Sequence, residues 1–108
     1  MKILVTERIA DEGIQQMKDD GFEVDVKLSL PREELLNIVH DYDAIIVRSV
    51  TKIDEELLER AKNLKVVGRA GNGIDNIDVT ACTKRGIIAV NTPESNIMAA
   101  AELAVGLA

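Results

Sequence analysis

Phe22-Glu23-Val24-Asp25-Val26-Lys27-Leu28 alternates apolar and charged or acidic side chains at every step. That is the period of a β-strand with one face on a core and the other toward solvent. Ala44-Ile45-Ile46-Val47, by contrast, is apolar without interruption, as a strand covered on both faces must be. Residues 2–6, 65–68 and 87–91 read like the second kind. The contrast decides the arrangement: the alternating strand belongs at a sheet edge, outside the first strand, and the solid runs belong further in.

Helical patterns separate the strands. Residues 10–20 place Ile14 and Met17 on one face and stop at Gly21. Ser29 can cap a second helix with Pro31 in its first turn and Leu35, Leu36 and Val39 as its buried stripe, before the acidic turn at 41–43. Asp54 caps a third helix carrying Leu57, Leu58 and Ala61. Asn76 or Asp78 opens a short one that ends at Gly86. Strand and helix in strict alternation predict an α/β chain of flavodoxin-like, three-layer form, with a five-stranded parallel sheet in the order 2-1-3-4-5.

The 108 residues, 46% apolar and 30% charged, suffice for one hydrophobic core and not for two ordinary domains. No run approaches the ~20 apolar residues that span a bilayer, so no membrane partner and a cytoplasmic setting are expected. A formal charge of −6 argues against nucleic acid, which calls for a basic face. A small anion remains compatible, because it responds to one or two arginines at short range. The single cysteine, Cys82, reads as a small buried hydrophobe on a helix, and no metal-ligand spacing is present.

Ligands of a doubly wound sheet gather beyond the carboxyl ends of its strands. Strand three delivers Arg48-Ser49 there, strand four Arg69-Ala70-Gly71-Asn72-Gly73, and strand five Asn91-Thr92. Two guanidiniums, a hydroxyl and amides freed by glycine suit a carboxylate or phosphate. Each part also has a plainer role. Arg48 can be a solvated charge, Arg69 can pair with Asp75 or Asp78, Gly71 and Gly73 can serve a tight turn, and Asn72 and Asn76 can be turn and cap residues. Convergence at one edge favours a site. The glycines at 68, 71 and 73 read G-x-x-G-x-G, not the dinucleotide order G-x-G-x-x-G. His40, the only histidine, falls before an acidic turn as a surface or capping residue, so no proton-transfer group and no catalytic residue is expected in this chain.

The stretch Val47-Arg48-Ser49, the run from Val66 through Gly68-Arg69-Ala70-Gly71-Asn72-Gly73-Ile74-Asp75-Asn76 to Asp78, then Gly86, Val90-Asn91-Thr92-Pro93, Asn96 and Ala100-Ala101-Glu102-Leu103 resembles the D-isomer specific 2-hydroxyacid dehydrogenase family. The resemblance covers the whole chain in order. Arg48-Ser49 and the Gly-Arg-Ala-Gly form of strand four tilt it toward the branch that oxidises 3-phosphoglycerate with NAD in serine biosynthesis. A glyoxylate or hydroxypyruvate reductase lobe, another D-2-hydroxyacid dehydrogenase lobe, or a free-standing flavodoxin-like ligand-binding module are the alternatives. The resemblance implies that Arg48, Ser49, Arg69, Gly71 and Asn96 contact the small anionic substrate, 3-phosphoglycerate. It places Asn72 near the nicotinamide end of the cofactor, where many members carry a smaller residue. It divides the chain into a substrate-binding domain, 1–95, and a hinge, 96–108, that begins the helix toward a nucleotide-binding domain. That domain would hold the dinucleotide fingerprint and the catalytic groups, so this chain alone is expected to be inactive.

Residues 96–108 are apolar nearly all round, with Glu102 the only charge. Such a helix expects burial on several sides, against the nucleotide-binding domain or, in isolation, against another copy. A receiver domain would need acidic residues after strand one and an aspartate ending strand three. A flavodoxin would need a hydroxyl- and glycine-rich loop there, whereas Glu7-Arg8-Ile9-Ala10 presents a carboxylate that repels anions.

Overall fold

The sheet follows from where apolar residues are continuous. A computed structural model describes residues 2–9, 11–71 and 75–92. Its strands are β1 (Lys2–Val5), β2 (Glu23–Val26), β3 (Ala44–Val47), β4 (Val66–Ala70) and β5 (Ile88–Thr92). They pair in parallel throughout, in the order β2-β1-β3-β4-β5. Every residue of β3 is buried, as its unbroken apolar run requires. β2 is an edge, with its ends exposed and its middle half-buried. β5 forms the other edge, and its Ile88, Ala89 and Val90 are only half-buried despite their apolar sequence.

Helices α1 (Asp11–Asp19), α2 (Arg32–Ile38), α3 (Glu55–Arg60) and α4 (Val79–Lys84) cover the sheet. Alternate side chains of each strand enter opposite layers. Leu4, Ile45, Val47 and Val67 pack with Leu35 of α2, Leu57 and Leu58 of α3 and Cys82 of α4. Ile3, Val5, Ala44, Ile46 and Val66 pack with Met17 of α1. Each layer therefore takes its own set of strand residues, and the sheet separates two cores. Beyond the core, Arg85 reaches Glu55 at 3.7 Å and Glu59 at 3.9 Å, which joins the end of α4 to α3.

Some local expectations change. Ser29 does not cap α2: its own backbone is left-handed, φ 57, and the helix begins after Pro31 with no side-chain cap. Glu33 and Glu34 in the first turn supply the charge that helix starts favour. β4 runs two residues beyond Gly68 because Arg69 and Ala70 continue the ladder against Asn91 and Thr92 of β5. Arg69 is thus a strand residue, fixed more firmly than a loop would fix it. Val26 and Leu28, expected on the core side, are 41% and 47% exposed. The chain is leaving the sheet edge there, and only the earlier Phe22 and Val24 reach the inner layer.

Candidate functional site

Arg48 and Ser49 follow β3 directly and are exposed. Arg69 lies on the neighbouring strand, where its Cα partners Val47. Gly71 follows β4 with φ +132, in the region that L side chains rarely adopt, with open space where a Cβ would point. Four of the expected contacts therefore meet at the carboxyl ends of β3 and β4, the position the sheet topology selects.

Asn76 joins these two strand ends. Its amide nitrogen donates to the Arg48 carbonyl at 2.6 Å and to the Thr51 carbonyl at 2.6 Å, while its side-chain oxygen accepts from Arg69 at 2.9 Å. One side chain uses both faces of its amide to tie the loop after β3 to the cation on β4. Beside it, Ile53 donates to the Asn76 carbonyl at 2.9 Å and accepts from Asp78 at 2.7 Å, forming a small parallel bridge between Ile53 and Ile77. Asn76 is neither a simple turn residue nor a helix cap. The cap of α4 is Asp78, which accepts from Ala81 at 3.0 Å.

Arg69 therefore bonds a neutral amide rather than Asp75 or Asp78. Its buried Nε has no hydrogen-bond partner among the described residues. A buried donor left without an acceptor costs about 1–3 kcal/mol, and more when charged. The arrangement suits an anionic ligand.

Sequence reasoning missed Glu7. Its carboxylate accepts from the backbone of Arg48 at 2.6 Å, Val50 at 3.0 Å and Thr51 at 3.0 Å. Burial alone would raise its pKa, but those backbone bonds, with help from the Thr51 hydroxyl, outweigh burial and hold the carboxyl below its ordinary range. Glu7 does not repel an anion from an open loop; its charge is absorbed by the loop it organises. The signal in sequence is an acidic residue just after β1 facing a loop just after the adjacent β3, which becomes meaningful once β1 and β3 are known to pair.

A cleft of about 620 Å³ lies on the β2 side of this loop. Its walls come from the loops after β1, β2 and β3 and from α2, including Glu7, Leu28, Leu30, Leu35 and Val50, with Arg8, Lys52 and Arg32 adding positive charge. Arg32 is already engaged, bonding Asp54 and donating to the Lys52 carbonyl at 2.9 Å. Of the residues named from sequence, Arg48, Ser49, Arg69 and Gly71 are not part of the cleft's lining. Arg48 connects the two regions, since its guanidinium donates to the Arg8 carbonyl at 3.1 Å.

Asn72, Gly73, Asn96 and the boundary at 95/96 lie outside the described residues. Among the described residues, no cluster of His, Cys, Asp and Glu could hold a metal, and no helix is long and apolar enough to cross a membrane. Cys82 is buried, as expected, and His40 is exposed beside Asp41 at 3.2 Å.

Comparisons with known proteins bear on this geometry. The family described as D-isomer specific 2-hydroxyacid dehydrogenase, catalytic domain, matches residues 3–105. The chain is 52% identical to a D-3-phosphoglycerate dehydrogenase of Archaeoglobus fulgidus over 107 residues, covering 99% of this chain and 20% of that protein. It is 47% identical to one of Methanocaldococcus jannaschii, again covering 99% of this chain and 20% of the relative. The chain thus spans about one fifth of the curated relatives it matches. Among solved structures, the NAD-bound 3-phosphoglycerate dehydrogenase of Entamoeba histolytica superposes with a TM-score of 0.77 at 35% identity, over 98% of this chain and 37% of that one. A Thermus thermophilus protein gives 0.80 at 35% identity, over 86% of this chain and 30% of its own.

Proposed function

Since the chain belongs to the D-isomer specific 2-hydroxyacid dehydrogenase family, we propose that it is the substrate-binding lobe of a D-3-phosphoglycerate dehydrogenase. The intact enzyme oxidises 3-phospho-D-glycerate to 3-phosphohydroxypyruvate with NAD, for L-serine biosynthesis in the cytoplasm. Residues 1–95 form the lobe and 96–108 the hinge toward a nucleotide-binding domain. The observation that carries this reading is the joining of Arg48 and Arg69 through Asn76 at the ends of adjacent strands. Cations held there at fixed spacing can orient a carboxylate by charge-assisted hydrogen bonds. Gly71 allows close approach of the ligand to backbone, and Ser49 and Asn96 add contacts. The neighbouring cleft, with Arg8 and Lys52 on its walls, accepts the phosphate end of the same molecule.

The described residues do not fit a dinucleotide. The start of α4, the helix after the glycine-containing turn, is occupied by the Asp78 carboxylate, which opposes a pyrophosphate, and the bulky Arg69 precedes Gly71. Asn72 is left with a contact to the nicotinamide end at most. No step of hydride transfer is assigned to this chain, and alone it is inactive.

A second reading is favoured by the apolar walls of the cleft: a lobe for a 2-hydroxyacid with an apolar side chain. Calorimetric titration of this chain with 3-phosphoglycerate, 2-hydroxyisocaproate and NAD separates the two. Saturable binding of 3-phosphoglycerate, weaker binding of 2-hydroxyisocaproate and none of NAD are expected. Preference for the apolar acid would overturn the phosphoglycerate assignment, and tight NAD binding would overturn the division of labour.

A further inference from the structure

The loop that presents Arg48 and Ser49 has no regular hydrogen bonding of its own after β3 ends at Val47. Its amides at 48, 50 and 51 all point to one spot, and that spot is filled by Glu7. Glu7 Oε2 accepts from Arg48 at 2.6 Å and from Thr51 at 3.0 Å, and Oε1 accepts from Val50 at 3.0 Å. Three converging backbone donors form an anion receptor, the concavity in which a free carboxylate or phosphate would ordinarily settle. Here the protein's own carboxylate occupies it. Nearby contacts hold both partners in place: the Thr6 and Thr51 hydroxyls lie 2.9 Å apart, and Arg48 Nη1 donates to the Arg8 carbonyl at 3.1 Å.

We infer that Glu7 is the positioning residue of the anion site: it clamps residues 48–51 and, by filling their amide receptor, directs an incoming anion to the Arg48 and Ser49 side chains instead. The inference rests on the reading of Arg48 and Ser49 as substrate contacts. Glu7 borders the adjoining cleft, but both of its carboxylate oxygens are held by the loop amides and not offered to the ligand. Its negative charge is spent on three N–H groups of the loop. Glu7 also explains why an acidic residue stands beside a site for an acid, a placement that charge counting alone reads as unfavourable.

The test compares the chain with its Glu7→Gln and Glu7→Asp variants, using 3-phosphoglycerate as the probe. Gln has the same shape but presents an N–H pair to at least one backbone donor, so the clamp opens without creating a hole. Asp keeps the charge on a shorter arm. In amide NMR spectra of the wild type, the Arg48, Val50 and Thr51 signals follow one acidic titration; in E7Q that titration disappears. Calorimetry is expected to show 3-phosphoglycerate binding weakened roughly tenfold or more in E7Q, as misplacement of contact groups predicts, with partial recovery in E7D. E7Q that melts below wild type yet is still cooperatively folded at the temperature of the titration ties the loss to the loop and not to unfolding. Wild-type affinity in E7Q, with the amide titration abolished, would overturn the positioning role. A wild-type chain that binds no 3-phosphoglycerate at all would instead overturn the substrate reading, and the inference with it.

Discussion

The placement of Arg48, Ser49, Arg69 and Gly71 at the carboxyl ends of β3 and β4 is legible in sequence, because residue type and strand end suffice to locate them. Glu7 and Asn76 are not, since their work is done at long range: Glu7 bonds residues more than forty positions away and Asn76 reaches back to Arg48 and Thr51. Replacing Arg48 by alanine is expected to weaken 3-phosphoglycerate binding by about 2 kcal/mol, the scale of a charge-assisted contact, with little change in melting temperature. Calorimetry on the variant checks this, and unchanged affinity would remove Arg48 from the site. The lowered pKa of Glu7 sets a sign for the pH dependence. A carboxyl that ionises more readily when folded contributes stability above its unfolded pKa, and that contribution is lost as pH falls through the lower, folded value. Urea midpoints followed from neutral pH down through the carboxylate range should therefore fall more steeply for wild type than for E7Q; parallel curves would show that the clamp adds nothing to folding.

At the scale of elements, the helices were legible where side chain and backbone agree. Asp54 accepts from Leu57 at 3.1 Å at the start of α3, as its position before an apolar stripe implies. Ser29 looked like a cap by type, yet its position is decided by tertiary path: the chain crosses from the edge strand over the cleft and turns left-handed there. Asp54→Ala should cost about 1 kcal/mol in urea unfolding, the usual worth of an N-cap. Its exposed pairing with Arg32 adds little. Gly21, at φ +95 with open space around its Cα, tests backbone conformation without steric conflict. Gly21→Ala should destabilise by about 1–2 kcal/mol, and no loss would show that the turn after α1 relaxes freely.

For the whole molecule, the order β2-β1-β3-β4-β5 could be read from the contrast between one alternating strand and several solid ones. The half-burial of β5, the other edge in that order, could not, because the apolar content of Ile88, Ala89 and Val90 does not distinguish half-burial from full burial. The cleft was equally hidden: it is made by α2 and three loops that are distant in sequence and meet only when β1, β2 and β3 pair. The apolar residues between 96 and 108 carry a further expectation, self-association of the isolated chain through surface that a nucleotide-binding domain would cover. Light scattering should report a dimer or larger species that becomes monomeric when the chain is cut near Ser95; a monomer in both cases would contradict this. The central claim is that a small anion binds at the carboxyl ends of β3 and β4, on the loop clamped by Glu7. Amide chemical-shift mapping during titration with 3-phosphoglycerate tests it most directly. Saturable shifts centred on Arg48, Ser49, Arg69 and Gly71 are the predicted result, and saturable shifts confined to another part of the sheet, or none, would contradict it.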